Sequence, residues 1–251
     1  MKTDLTDLTF LILVRLDSIQ RLENIIIVTD SMLKYFRTNI FVLEADSFDN
    51  GLLKKNLNNK VTYQFVEDKD PVIHKTKYYK YMVNTVTTKF LAIWDTDVVV
   101  DKNAICESMK HLREDADVAL PYNGYCYDVS DIIKHYYFKH QDIRFLNRHS
   151  GKMKLLYERV LVGGAIIVKT DKYLQSGGDN EEIYGWGNDD FTRYKRFQVN
   201  NLNIYRTKNR LFHLNHPRGM NSQFRNSFSK KISDFELSKE ENNFELLGKK
   251  P

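Results

Sequence analysis

From Leu8 to Val14 the chain reads LTFLILV, a continuous apolar run of strand length, the kind that is buried on both faces. Helical spacing of apolar residues follows in SIQRLENIIIVTDSMLKYF, then a strand pattern in NIFVLEA and a helical turn in GLLKKNL. VTYQFVE reads as a third strand, His74 to Val86 as a helix, and KFLAIWD as a fourth strand. Strands alternating with helices predict an α/β fold with a single Rossmann-like, mostly parallel sheet and flanking helices. No Ser/Pro/Gly-rich linker divides the chain, so residues 1–225 read as one compact domain of two halves meeting near residue 120. Residues 226–251 form a polar, charged tail in which Ile232, Phe235, Phe244 and Leu247 recur at helical spacing, with Gly248 placed to close a helix.

The fourth strand carries an oddity, two aspartates at its carboxyl end, Asp95 and Asp97. Ionised carboxylates are costly to bury unless they are paired or bind metal. In parallel α/β sheets, ligands bind outside the carboxyl ends of the strands, so these two acids face a ligand site. Two other Asp-x-Asp pairs, Asp68/Asp70 and Asp115/Asp117, lie in charged turns and read as solvated. Only Asp95-Thr96-Asp97 sits between apolar runs, where a hard cation would offset the burial of carboxylate oxygen. RLFHLNHPRG adds His213 and His216 at a spacing of three, read either as metal ligands or as a capping and an exposed histidine at a strand end.

The segment GGDNEEIYGWGNDDFTRYKRF, Gly177 to Phe197, is the most informative. Asn188 can serve as the N-cap of a helix whose first turn holds Asp189 and Asp190, acids that the helix dipole favours there. Capping explains the acids without chemistry. It does not explain Trp186 between Gly185 and Gly187, which suggests a mobile loop with a flat face that stacks on sugars or bases.

Composition narrows the classes. The net charge is +5 with acids and bases interspersed, and KYYKY (Lys77 to Tyr81) fits an amphipathic helix better than a basic patch, so no nucleic-acid partner is expected. Cys106 and Cys126 form no disulfide framework, which suits a reducing compartment. The apolar run near the N-terminus is too short to span a membrane and lacks the form of a signal peptide, so a cytoplasmic protein is expected. No Gly-x-Gly-x-x-Gly follows the first strand and no P-loop motif occurs, which removes the main support for dinucleotide and P-loop binding.

VLVGGAIIVKTDKYLQSGGDNEEIYGWGNDDFTRYKRF resembles the C-terminal catalytic region of the β-1,4-galactosyltransferases and polypeptide N-acetylgalactosaminyltransferases, which are GT-A glycosyltransferases. The shared pattern is a Gly-Gly entering a strand, a short helix, a Gly-Gly turn, and then Gly-Trp-Gly-x-acid-Asp. A looser similarity extends upstream through FLILVRLDSIQRLENI and IFVLEAD, so the resemblance covers about Thr9 to Gly219. It implies a GT-A fold whose first half holds a nucleotide sugar and whose second half holds acceptor and catalytic groups. It further implies an inverting transfer of a sugar, galactose or N-acetylhexosamine, from a UDP-sugar to a glycan or lipid-linked saccharide acceptor.

Residue by residue, the resemblance makes Asp97 a metal ligand joined by His213 and His216, with Asp95 supporting nucleotide or sugar. Asp190 becomes the catalytic base, Asp189 the acceptor-binding acid, and Trp186, with Gly187, the lid over the donor. Arg15 and Asp17, after the first strand, and Glu44, on the second, would meet the nucleotide. A mixed carboxylate, imidazole and diphosphate site favours Mn²⁺, with Mg²⁺ the alternative. The sequence departs from the family in lacking one of its paired arginines and in placing Asn188 for a glycine and Asp189 for a glutamate. Tyr122, Tyr125, Tyr127, Tyr136 and Tyr137 are candidates for an acceptor platform or for ordinary core and rim. Two rival functions remain, a nucleotidyltransferase making a sugar nucleotide and a catalytically inactive sugar-nucleotide-binding module. The tail is expected to dock on the domain. The alternative is weak association with the inner face of a membrane through Lys230, Lys231, Lys249 and Lys250, which Glu236, Glu240, Glu241 and Glu245 oppose.

Overall fold

The computed structural model describes residues 1–246. In the first half, β1 (Thr3–Val14), α1 (Ile19–Tyr35), β2 (Phe36–Asp46), α2 (Leu52–Asn56) and β3 (Thr62–Glu67) alternate, followed by α3 (Lys75–Val83), β4 (Phe90–Trp94), β5 (Val98–Val100) and α4 (Lys102–Glu114). The second half holds β6 (Val118–Leu120), β7 (Cys126–Val129), α5 (Asp131–His140), α6 (Ile143–His149), β8 (Lys154–Leu155) and β9 (Ala165–Lys169). It continues through α7 (Thr170–Gln175), α8 (Asp189–Val199), β10 (Ile204–Arg206) and β11 (Leu211–Leu214) to α9 (Ser227–Leu246).

Seven strands form the main sheet in the order β10-β6-β9-β4-β1-β2-β3. β9 alone runs against its neighbours β4 and β6. The apolar runs that suggested strands buried on both faces occupy its centre: all five residues of β4 are buried, and Phe10 packs edge-on against Trp94 at 5.3 Å. A second, four-stranded sheet has the order β5-β11-β7-β8. Sequence pattern did not separate it, because KFLAIWDTDVVV looks like one strand. The chain in fact bends at Asp95-Thr96-Asp97, leaving the first sheet as β4 and entering the second as β5. The indole of Trp94 braces the corner by donating to the Val98 carbonyl at 3.2 Å. The two aspartates therefore sit where the sheets part.

The Asp68/Asp70 turn is not merely solvated. Asp68 is ion-paired to Arg15 at 2.8 Å, and Asp70 accepts a hydrogen bond from the Tyr184 hydroxyl at 2.6 Å. The turn thereby links the end of β1 to the segment before α8.

The tail helix α9 packs on α8 through Glu240 and Phe244 and on the loop before it through Ser233 and Glu236, four residues that share one face by helical spacing. Phe244 is buried beneath Lys195, whereas Phe235, expected on the apolar face, is 58% exposed. Polar partners on the domain decide which face docks, and an apolar count alone did not find them. Leu247, Gly248, Lys249 and Lys250 lie outside the described residues. Among the described residues no helix is long and apolar enough to cross a membrane.

Candidate active site

The bend after β4 opens into a cavity of about 210 Å³. Its metal-binding corner is built from both sheets. Asp97 comes from the bend, His213 from β11, and His216 from the residues just after that strand, and all three are buried. Their ligand atoms lie within 4.8 Å of one another. Asp97 Oδ2 is 3.0 Å from His216 Nε2, and Asp97 Oδ1 is 3.9 Å from His213 Nε2. The other ring nitrogens are committed: His213 Nδ1 lies 2.8 Å from Asp128 Oδ1, and His216 Nδ1 lies 2.8 Å from the Pro217 carbonyl. An oxygen beside Nδ1 with Nε2 facing the site is the usual orientation of a ligating histidine; at His216 the Nδ1 also lies 3.3 Å from Arg21 Nη2. Asp97, His213 and His216 thus bring one carboxylate and two imidazole nitrogens together, a donor set that can hold a cation. The donor set fits Mn²⁺, which accepts both carboxylate and imidazole. Burial opposes the charge on Asp97, but the contact with His216 and the nearby His213 and Arg21 outweigh it and hold the carboxyl below its usual range.

Asp95 is different. Burial, followed by the nearby charges of Asp97, Asp190 and Asp189, pushes its carboxyl up to about 7, against the opposing pull of Lys75.

The second wall starts at the N-terminus of α8. Asp189 is 4% exposed and lies 3.2 Å from Lys75 Nζ in the first turn of α3. Burial raises its carboxyl, with Lys75 opposing. Asp190 is ion-paired to Arg193 one turn on. Arg193 is 1% exposed and is held on its other side by Asp179 at 2.6 Å, which in turn accepts from the Tyr173 hydroxyl at 2.7 Å. Gly163 packs directly against the Asp190 carboxylate, so any side chain there would strike it, while a Cβ on Gly164 would come 3.6 Å from Asp95. The Gly-Gly that enters β9 thus separates the two acids and leaves room for both.

Asn188 occupies the N-cap position of α8, yet its side chain makes no capping bond. Its backbone N–H donates to Ser233 Oγ at 2.7 Å and its amide to Asp234 at 2.9 Å, both on α9. Gly187 has no room for a side chain, since a Cβ would lie 2.6 Å from Ser233 Oγ. Trp186 reaches the cavity wall half-buried, edge-on to Phe224 at 4.9 Å.

Of the eleven residues singled out from sequence, ten line this cavity. Arg15 is among them, but its guanidinium is committed to the Ala45 and Asp70 carbonyls and to Asp68. Asp17 pairs with Arg21 at 2.8 Å, and Arg21 reaches on to Asp97 at 3.5 Å, supplying a second arginine where sequence showed one. Glu44 is the exception. It is buried off the cavity beneath Tyr63, whose hydroxyl donates to it at 2.6 Å. None of the five tyrosines offered as an acceptor platform lines the cavity, and Tyr122 and Tyr137 are core residues. Tyr157 lines it instead. Sequence reading also missed Lys75, Arg193 and Asp128. The i,i+3 spacing of Asp190 and Arg193 was a usable signal, whereas Lys75 and Asp128 reach the site only through tertiary packing.

The fold and one segment of the chain have counterparts among known proteins. Residues 145–218 match the family described as the N-terminal domain of galactosyltransferase, a stretch that contains Trp186, both acids of α8 and both histidines. No curated protein matches the chain by sequence. The mannosyltransferase PcManGT from Pyrobaculum calidifontis, solved with GDP-Man and Mn²⁺, superposes with a TM-score of 0.54 at 12% identity, covering 85% of this chain. This chain spans 58% of that protein's length. The catalytic domain of Drosophila β1,4-galactosyltransferase 7, solved with xylobiose, superposes with a TM-score of 0.50 at 14% identity, covering 88% of this chain and 75% of its own. The chain thus shares the fold of these two glycosyltransferases, and the stretch that carries both acids of α8 and both histidines matches the galactosyltransferase family.

Proposed function

We propose that the protein is a metal-dependent, inverting glycosyltransferase that moves a hexose, of galactose or N-acetylhexosamine type, from a UDP-sugar to a hydroxyl of a glycan or lipid-linked saccharide. The observation that carries this reading is one cavity lined both by Asp97, His213 and His216 and by Asp190. Asp97, His213 and His216 would hold Mn²⁺, which when bound supplies counter-charge to the departing nucleoside diphosphate. Asp190 accepts the proton of the acceptor hydroxyl as that oxygen attacks the anomeric carbon, and a single displacement inverts the configuration. Arg193 fixes the rotamer of Asp190, so the carboxylate does not have to be ordered during the reaction. Asp189, neutralised by Lys75, is placed to accept a hydrogen bond from a second acceptor hydroxyl. Trp186 covers the donor sugar and keeps water from it.

The test is to incubate the protein with UDP-galactose, UDP-N-acetylgalactosamine, UDP-N-acetylglucosamine and GDP-mannose in Mn²⁺ and follow release of nucleoside diphosphate. Slow release from a UDP-sugar, lost in Asp190→Asn, supports the reading. Release from GDP-mannose alone would replace the donor. Pyrophosphate formation from a nucleoside triphosphate and a sugar phosphate would instead favour a nucleotidyltransferase.

A further inference from the structure

Residues 131–154 hold six Lys and Arg against two acids, a net +4 within a chain of net +5. This stretch comprises α5, α6 and the approach to β8. Both acids are already engaged, Asp131 with Lys134 at 3.6 Å and Asp142 with Arg144 at 3.1 Å. Lys139, Arg148, Lys152 and Lys154 are exposed and take part in no ion pair among the described residues. Residues 191–233 also hold ten Lys and Arg and no acid, but there Arg193, Arg196, Arg225 and Lys230 are paired with Asp179, Glu240, Asp70 and Asp234.

The same surface shows apolar groups to solvent. Ile132 is 85% exposed, and Tyr136, one turn along the same face of α5, is 43% exposed. The Tyr136 ring stacks on Phe145 of α6 at 4.0 Å, which joins the two helices into one face. Leu155 of β8 adds a further exposed aliphatic side chain. Exposed apolar groups that can enter the headgroup region, with exposed cations in the same segment, match an anionic bilayer surface better than a purely polar polyanion, which would leave Ile132 in water. Beyond β8 the chain continues directly into the cavity wall at Leu156, Tyr157 and Arg159.

We propose that α5, α6 and β8 form a docking face for anionic phospholipid, holding the cavity rim at the membrane surface. The face of the tail helix that carries Glu236 and Glu240 is turned to the domain. Lipid binding is a property of the docking face and is measured without turnover, so its outcome is separate from that of the transfer assay.

The experiment is co-sedimentation of the full chain with phosphatidylcholine vesicles, with or without phosphatidylglycerol. Binding is expected only to the phosphatidylglycerol vesicles and should weaken with salt. The triple variant Lys139→Glu/Arg148→Glu/Lys152→Glu should lower the partition coefficient about 100-fold or more, from the contribution of each basic side chain at an anionic surface. Ile132→Asp should also lower it. A charge-matched control, Lys54→Glu/Lys55→Glu/Lys60→Glu, should leave most binding intact, and all variants should keep the parent melting temperature because every changed residue is exposed. Three results would overturn the proposal: no binding to phosphatidylglycerol vesicles, equal loss in the control, or patch-dependent binding to dextran sulfate without binding to vesicles.

Discussion

The two walls of the cavity hold their functional groups by different means. The histidine corner hangs on strand ends: Asp97 follows β4, His213 lies within β11, and Asp128 on β7 sets the ring of His213. Every one of these is fixed by sheet pairing, including the bond from the Leu214 N–H to the Asp97 carbonyl at 2.6 Å. The acid wall has no strand beneath it. Asp189 and Asp190 begin a helix after a long loop, and that loop is stapled from outside by α9 through Asn188 to Ser233 and Asp234 and through Asn180 to Glu236. Charged groups on the first wall are positioned by the core of the fold. Those on the second depend on a buried ion-pair chain and on the last helix. Each wall can therefore be broken without breaking the other.

The largest effect should come from the histidine corner. Excess EDTA should reduce transfer to background, and Mn²⁺ should restore it better than Ca²⁺, which prefers all-oxygen ligands. Full turnover in EDTA would remove the metal from the mechanism. On the other wall, Asp190→Asn should fold and bind UDP with metal as the parent does, yet lose transfer by about 10²- to 10⁴-fold, the usual contribution of a general base. Near-parental transfer would leave Asp190 only its ion pair with Arg193.

Arg193 tests how the acid wall is held. Arg193→Met leaves Asp179 buried without its cation, a cost of about 3–5 kcal/mol in stability. It should also lower kcat without changing KM for the donor, because the donor side stays intact. Pairing it with Asp179→Asn should return much of the stability and none of the kcat. If kcat recovers with stability, Arg193 is a structural residue and Asp190 needs no positioning.

The same contrast governs what could be read in the sequence. Strand-end groups were legible because burying two aspartates beside a continuous apolar run is too costly unless a ligand or cation offsets their charge. Asp189, Asp190 and Trp186 were legible through a motif and not through periodicity. The second sheet was not, since β4 and β5 meet with only three residues between them and look like one strand. Glu44 was misplaced for a related reason: strand alternation decides which face a side chain takes, and on β2 it turns this acid under Tyr63. Lys75 and Asp128 carry no local signal at all, because each reaches its partner from a distant part of the chain.

The smallest effect separates two phenylalanines of α9 that the sequence pattern treated alike. Phe244 is 7% exposed and lies under the Lys195 ammonium, so Phe244→Ala removes real packing and should cost about 3 kcal/mol. Phe235 is 58% exposed on the opposite face, so Phe235→Ser should stay within about 0.5 kcal/mol of the parent. Because α9 also staples Asn188, the destabilised Phe244→Ala protein should lose transfer before it loses Mn²⁺ binding as temperature rises. Thermal melts with and without Mn²⁺, read beside initial rates, would show this order. If Phe235→Ser proved as costly as Phe244→Ala, α9 would dock by its apolar stripe after all, and the acid wall would be stapled by a different face of the helix.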